Sequence, residues 1–109
     1  MVDKKITPED LYKKLNNNEK VVILDVRAEE KFQQYHIEHP IADTVNLPKT
    51  KILGTDQQVE GLPETKEIVV ACTTGNSAQK CADVLSGQKV NTIVLEGGIT
   101  AWKEFLKTI

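Results

Sequence analysis

Cys72 is the residue of this chain best placed for nucleophilic chemistry. It follows an apolar run, residues 68–71, and precedes a segment of small residues, 73–77, after which a helical pattern begins. A free thiol is only a few per cent ionised at neutral pH, and its thiolate is the nucleophile. The backbone N–H groups of a helix start and of a tight loop supply the positive field that stabilises a thiolate. The pattern therefore allows two interpretations. Cys72 is either a reactive cysteine or only the last core residue of a buried strand.

The segment after Cys72 favours the first of these two interpretations. Its side chains are all small, and Gly75 and Asn76 tolerate positive φ. The N–H groups of such a segment can turn inward around a sulfur atom and form an anion-binding nest. The loop itself has no Arg or Lys, and the nearest base that follows it is Lys80. Ionisation of the thiol is therefore expected to depend on the backbone nest and on the helix start at Asn76.

Other reactive residue types give weaker signals. Of the two cysteines in the chain, Cys81 lies on the apolar side of the helical pattern, which favours core packing over a resolving-thiol role. His36 and His39 have no carboxylate or cysteine at metal-ligand spacing, so no metal site is predicted. The pair at positions 97–98 lacks the third glycine of a dinucleotide fingerprint, and no cofactor is predicted. We expect this glycine pair to let the chain turn close to the Cys72 loop.

Strand-like and helical patterns alternate along the chain and place Cys72 at the carboxyl end of a predicted strand. Apolar or β-branched runs predict strands at 21–24, 44–47, 68–71 and 92–95. Helical spacing predicts one helix that begins at Thr7-Pro8 and three more over residues 28–35, 76–85 and 99–106. Residues 49–66 are predicted to form a connection with a short helical turn, and Phe32 and Tyr35 to face inward. The fold class is therefore α/β, a mostly parallel sheet of four to five strands with helices on both faces. Ligands bind at the carboxyl ends of such strands, where Asp25, Cys72 and Glu96 fall.

Length and charge limit the classes of partner. A chain of 109 residues predicts one domain, residues 1–109. The net charge is −2 and no long basic cluster occurs, which argues against nucleic acid or an anionic membrane as partner. No apolar segment approaches the roughly 18 residues of a membrane span, and no signal-peptide pattern opens the chain, so a cytoplasmic location is expected. The sequence leaves the oligomeric state open and favours a small molecule or another protein as partner.

Five separated motifs resemble a single-domain rhodanese, a family of thiosulfate sulfurtransferase-like proteins. They are the loop Cys72–Ala78, Leu24-Asp25-Val26-Arg27, His36-Ile37, Val45-Asn46-Leu47-Pro48 and the segment Leu95–Trp102, in order over about residues 5 to 107. The resemblance implies a rhodanese-like fold and a sulfurtransferase. Such an enzyme moves a sulfane sulfur from thiosulfate or a persulfide donor to cyanide or a thiol, through a persulfide on Cys72. A protein as sulfur acceptor is left open.

The resemblance also implies roles for individual residues. Cys72 is the expected nucleophile and sulfur carrier. Asp25 and Arg27 are expected to support the scaffold, with Arg27 paired to a nearby carboxylate such as Glu30. The donor-binding cradle is expected to consist of Thr73, Thr74, Gly75, Asn76, Ser77 and Ala78. The hydroxyl groups of Thr73 and Ser77 are expected to donate hydrogen bonds to oxygen atoms of the sulfur donor.

Two other functions remain open at this point. One is a rhodanese-like module that carries or binds sulfur without turnover. The other is a cysteine phosphatase or arsenate reductase, which requires Cys-x5-Arg; here the position of that arginine is occupied by Ala78. Because many rhodaneses carry a cation in the loop, the uncharged loop predicts weak binding of thiosulfate.

Overall fold

The computed structural model describes residues 4–53, 67–88 and 90–109. The strands are β1 Lys5–Ile6, β2 Val21–Asp25, β3 Ala42–Asn46, β4 Ile68–Ala71 and β5 Thr92–Leu95. The helices are α1 Pro8–Asn16, α2 Glu29–Gln34, α3 Lys49–Leu53, α4 Asn76–Gly87 and α5 Gly98–Leu106. The helical turn predicted within 49–66 is α3, and the remainder of that predicted connection, from 54 onward, lies outside the described residues. No helix of the described segments is long and apolar enough to cross a membrane.

The five strands of the described chain form one parallel sheet in the order β1-β5-β4-β2-β3. The predicted α/β fold class is confirmed. The central strand of the sheet is β4, and its register with the neighbouring β2 pairs Ala71 with Asp25. Cys72 therefore leaves the sheet beside the carboxyl end of β2, at the edge where parallel sheets bind ligands.

Each face of the sheet is covered by its own helices. On one face, α3 and α4 pack Ile52, Cys81 and Leu85 against strand residues, and this core cluster includes Cys72. On the other face, α1 and α5 pack Leu11, Leu15, Ile99 and Trp102 against the intervening strand residues. Because β2 is buried along its whole length, alternate side chains enter the two clusters, which explains its continuous apolar pattern.

The prediction that Phe32 and Tyr35 face inward is confirmed for Tyr35, which packs against the core cluster of α1 and α5, and is wrong for Phe32, which belongs to neither core cluster. Helix α2 has no fully buried residue, and both aromatic side chains are half-buried. Phe32 stacks on the imidazole of His36, with 4.0 Å between ring centroids. Apolar periodicity does not distinguish such a half-buried, stacked ring from one that is packed in the core.

Candidate functional site

The sulfur of Cys72 receives two backbone hydrogen bonds from the loop that follows it. The N–H of Gly75 lies 2.9 Å from Sγ, and the N–H of Ala78 lies 3.2 Å from it. The residue is 4% exposed and belongs to the wall of an open cavity. Donors that converge on a sulfur stabilise negative charge on it. The loop backbone therefore has the form of the anion-binding nest that the small residues indicate.

The two donors are available because of how α4 begins. Ala78 is the third residue of α4, so its N–H has no acceptor within the helix. Gly75 precedes the helix with a φ of 104°, a conformation that favours glycine and that turns its own N–H toward the sulfur. Asn76, which was also suited to positive φ, is instead the first helical residue. Gln79 N–H, 3.0 Å from the carbonyl of Gly75, makes the first bond of the helix ladder.

A glycine turn supports the loop from behind, as the sequence predicts for positions 97–98. The N–H of Ile99 donates to the carbonyl of Cys72 at 2.8 Å, and the N–H of Thr100 donates to the carbonyl of Thr73 at 3.0 Å. A Cβ on Gly98 would lie 2.4 Å from the carbonyl oxygen of Cys72, and the φ of Gly98 is +63°. Only glycine permits so close an approach of α5 to the loop. The position of Cys72 is thus fixed by the backbone on two sides.

Asp25 and Arg27 form a buried ion pair at the end of β2. Arg27 Nη2 lies 2.7 Å from Asp25 Oδ2, and the two side chains are 8% and 1% exposed. Arg27 Nε and backbone N–H also donate to the carboxylate, and Nη2 donates to the carbonyl of Tyr35. The carboxylate paired with Arg27 is therefore Asp25 rather than Glu30, because a turn two residues long folds the guanidinium back onto it. Asn46 Nδ2 ties the same turn by donating to the carbonyls of Asp25 and Arg27, at 3.0 Å each.

Two lysines that lie outside the loop in sequence reach the cavity of Cys72. The cavity has a volume of about 240 Å³, and its wall includes Lys31 from α2, Lys49 from α3, Thr73 and Ser77. Lys49 Nζ donates to Ser77 Oγ at 3.4 Å. Among the described residues, neither lysine forms an ion pair with a carboxylate. The loop itself has no basic residue, and the two cations beside it come from elements that are distant in sequence.

The sequence position of Lys49 after a predicted strand indicates that it could belong to the site, although its spacing from Cys72 does not. Lys49 follows Pro48, just beyond the end of β3, and the carboxyl ends of parallel strands meet at one edge of the sheet. Its N–H donates to the carbonyl of Val26 at 2.9 Å, which fixes the start of α3 beside the β2 turn. A basic residue directly after a predicted parallel strand is thus a candidate for the site.

The other candidate residues are accounted for by local contacts. Cys81 is fully buried, and burial, together with the nearby Cys72, raises the pKa of its thiol to about 11. His36 Nδ1 lies 2.8 Å from the carbonyl of Phe32, and its Nε2 lies 3.0 Å from Glu38 Oε1. His39 Nδ1 accepts from the N–H of Ile41 at 3.2 Å. The described parts of the chain hold no cluster of residues that could bind a metal ion.

Comparison with known protein families agrees with this geometry. The sequence profile of the rhodanese-like domain matches residues 7–105. The chain belongs to the rhodanese-like domain family. The match begins at the cap of α1 and ends within α5, so it covers the four strands β2 to β5 together with the Cys72 loop. The resemblance inferred from the five motifs is confirmed at the level of the family.

Named relatives of this rhodanese-like chain include sulfurtransferases. A putative sulfurtransferase of Bacillus subtilis, YtwF, is 28% identical over 92% of this chain and 90% of its own length. A probable adenylyltransferase/sulfurtransferase of Mycobacterium tuberculosis, MoeZ, is 30% identical over 89% of this chain, which spans only 24% of that protein. A crystal structure of a rhodanese-like domain protein from Staphylococcus aureus has a TM-score of 0.76 and 26% identity, over 91% of this chain and 90% of that one. The names of these relatives indicate that the family as a whole includes proteins of sulfur transfer.

Proposed function

We propose that this chain is a sulfurtransferase that holds a sulfane sulfur as a persulfide on Cys72. The observation that carries the proposal is the pair of N–H groups, from Gly75 and Ala78, that converge on Cys72 Sγ in the wall of an open cavity. Both donors favour the thiolate, which is the attacking species. The names of the relatives YtwF and MoeZ support the same reaction class.

The reaction consists of two displacements. In the first, the Cys72 thiolate attacks the outer sulfur of thiosulfate; a new S–S bond forms to Sγ, the old S–S bond breaks, and sulfite leaves with its electron pair. In the second, cyanide or a thiolate attacks the outer sulfur of the Cys72 persulfide, takes it, and returns the Cys72 thiolate. With a persulfide donor, the leaving group of the first step is a thiolate. No external oxidant or reductant enters, and the covalent intermediate predicts ping-pong kinetics.

Lys49 and Lys31 give the cavity the charge that an anionic donor needs. Thiosulfate carries its negative charge on the oxygen atoms opposite the transferred sulfur. Lys49 lies at the side of Ser77, next to the helix start that holds Sγ, and Lys31 lies on the same cavity wall. A cation beside the donor oxygens binds the donor and stabilises sulfite as it leaves. Thiosulfate is therefore a better donor for this chain than the uncharged loop alone predicts.

A phosphatase mechanism lacks its main component at this site. Phosphoryl transfer by a cysteine enzyme needs a guanidinium that holds the equatorial oxygens. The only arginine of the chain, Arg27, has its guanidinium engaged by Asp25 and by the carbonyl of Tyr35. The position where the loop would carry an arginine is occupied by Ala78, whose N–H is used by Cys72. We therefore set this alternative aside.

Intact-mass spectrometry after incubation with thiosulfate or a low-molecular-weight persulfide tests the proposal. We expect the protein to gain one sulfur atom and to lose it again on addition of cyanide. Cys72→Ser should gain none, whereas Cys81→Ser is the matched control and should still gain it, because Cys81 is fully buried in the core. Absence of the adduct with every donor would refute sulfur transfer. An adduct that neither cyanide nor thiols remove would instead indicate a carrier module without turnover.

A further inference from the structure

One nitrogen of the Arg27 guanidinium is not used by its ion pair. A guanidinium has five N–H groups on three nitrogens. Nε donates to both carboxylate oxygens of Asp25, at 3.0 and 3.1 Å, and Nη2 donates to Asp25 Oδ2 at 2.7 Å and to the carbonyl of Tyr35. Within the described parts of the chain, no group accepts a hydrogen bond from Nη1. Two N–H groups of a side chain that is only 8% exposed are thus left without a protein acceptor.

The unused nitrogen opens to the space beside Cys72. Every fully buried side-chain nitrogen or oxygen of the described residues has a hydrogen-bond partner, so Nη1, which has none, is not sealed inside the protein. Arg27 borders the cavity of Cys72 and a second cavity of about 210 Å³ that adjoins it. Because Nε and Nη2 are turned toward Asp25 and Tyr35, Nη1 is the part of the guanidinium left to face this space. A polar group so nearly buried without a partner is rare, and it is a place where an acceptor atom of a ligand can bind.

Arg27 and Cys72 leave the sheet from neighbouring strands. The register of β2 and β4 pairs Asp25 with Ala71, and the N–H of Val26 donates to the carbonyl of Ala71 at 2.9 Å. The pairing therefore continues one residue beyond β2, up to the residue before Arg27. Both residues border the same cavity, whose volume is about 240 Å³. A small donor whose outer sulfur meets Cys72 Sγ consequently has its oxygen atoms in the space that Arg27 borders.

Arg27 is held in place, unlike the two lysines of the cavity. Lys31 and Lys49 are exposed, whereas the guanidinium of Arg27 is fixed by Asp25 and its backbone carbonyl accepts from Asn46 Nδ2 at 3.0 Å. Because Asp25 neutralises its charge, Arg27 adds little long-range attraction for an anion. A fixed N–H group instead acts most strongly where negative charge develops during the reaction, since it needs no reorganisation at that moment. We therefore expect the lysines to attract the donor and Arg27 to act on the breaking bond.

We infer that Arg27 Nη1 donates a hydrogen bond to an oxygen atom of thiosulfate and holds sulfite as it leaves. This inference rests on the proposed sulfur transfer and adds a residue that favours donors with oxygen atoms on the leaving group. As the Cys72 thiolate bonds to the outer sulfur, the S–S bond of thiosulfate breaks and its electron pair stays on sulfite, whose growing charge Nη1 meets. A single nitrogen makes a one-point contact. It does not supply the two-nitrogen fork that phosphoryl transfer requires.

Nitrogen-15 NMR of the unchanged, reduced protein tests the contact directly. Arg27 is the only arginine of the chain, so its side-chain signals belong to one residue. The probe is sulfite, with chloride at the same ionic strength as the control anion. We expect sulfite, but not chloride, to shift the Nη1 signal saturably, with a much smaller shift at Nε, which stays on Asp25. Saturable shifts at the amides of Gly75 and Ala78 without a shift at Nη1 would overturn the inference, and so would the absence of any saturable shift.

The rate of persulfide formation separates this contact from a purely structural role of Arg27. Arg27→Lys keeps a positive charge beside Asp25, but one ammonium group cannot hold both Asp25 and the donor. In quenched-flow experiments read by intact mass, we expect the loading rate at saturating thiosulfate to fall at least about tenfold. The half-saturating concentration should change less than about threefold.

Hydrogen disulfide, HSS⁻, is the matched donor because it has no oxygen atoms. The Cys72 thiolate takes its outer sulfur and hydrosulfide leaves, so the loading rate in Arg27→Lys should stay within about twofold of that in the unchanged protein. Equal losses with both donors in folded Arg27→Lys would show that Arg27 only supports the scaffold, and would leave sulfur transfer intact. If Arg27→Lys does not fold, the NMR titration of the unchanged protein decides. Failure of the unchanged protein to form a persulfide with either donor would instead count against the proposed function.

Discussion

Lys49 Nζ donates to the hydroxyl of Ser77 across 3.4 Å, although the two residues are 28 positions apart. Ser77 immediately precedes Ala78, whose N–H holds Cys72 Sγ. The contact therefore brings a cation from α3 to the same helix start that holds the sulfur. This cation comes from outside the loop, so the sequence of the loop alone does not reveal it.

Replacement of Lys49 should weaken the binding of an anionic donor. Lys49→Gln removes the charge but keeps a hydrogen-bond donor of similar length, and we expect the KM for thiosulfate to rise about three- to tenfold with a smaller change in kcat. Lys51→Gln is the matched control, an exposed lysine of the same helix that does not border the cavity. Equal KM values for the two variants would show that Lys49 does not contact the donor.

Gly98 should not tolerate a side chain. In Gly98→Ala the new Cβ would lie 2.4 Å from the carbonyl oxygen of Cys72, at a φ of +63°. Because neither the backbone contact nor the φ can relax cheaply, we expect the free energy of unfolding to fall by about 2–4 kcal/mol. Gly87→Ala is the control, since nothing lies within 4 Å of the Cβ there, and its effect should be within about 0.5 kcal/mol. Urea denaturation followed by circular dichroism measures both, and similar losses would contradict the steric argument.

The strands and the Cys72 loop illustrate what the sequence could predict. The continuous apolar run of β2 and the small residues of 73–77 have direct physical causes, namely burial on both faces and close approach of the backbone to a sulfur. They therefore predicted the sheet and the form of the Cys72 loop. Strand β1 has only two residues, too few to show a period, and it is defined by its pairing with β5. Lys49 and Lys31 reach the cavity through tertiary packing, which local spacing does not encode.

Asp25 should contribute much more to stability than a surface acid. Asp25→Asn leaves the guanidinium of Arg27 buried with no opposing charge, and we expect a loss of about 3 kcal/mol in the free energy of unfolding. Glu9→Gln is the comparison, because Glu9 and Lys13 form an exposed pair with side chains 62% and 65% exposed. Its loss should be at most about 0.5 kcal/mol. Chemical denaturation of both variants provides the test, and equal losses would show that the Asp25–Arg27 pair does not hold the β2 turn.

Cys81 should make the stability of the fold sensitive to alkaline pH. Burial raises the pKa of its thiol from 9.0 to about 11, whereas in the unfolded chain the thiol titrates near its ordinary value. Between these two pKa values the unfolded state binds fewer protons than the native state, so stability is complete below about pH 9 and falls as pH rises toward 11. The shift corresponds to at most about 3 kcal/mol. We expect the loss in Cys72→Ser and expect it to be reduced in Cys72→Ser/Cys81→Ala, measured by urea denaturation between pH 8 and 11.

Comparison of Cys72→Ser with the double variant isolates the contribution of the Cys81 thiol, because the two proteins share every other titratable group. In Cys72→Ser the only remaining thiol is Cys81, which is fully buried. Iodoacetamide at pH 8 should therefore label this variant only after denaturation, because the native thiol is both inaccessible and protonated. Rapid labelling of native Cys72→Ser, or identical pH dependence of stability in the two proteins, would show that Cys81 is reached by water and is not the core residue that its position between α4 and the sheet indicates.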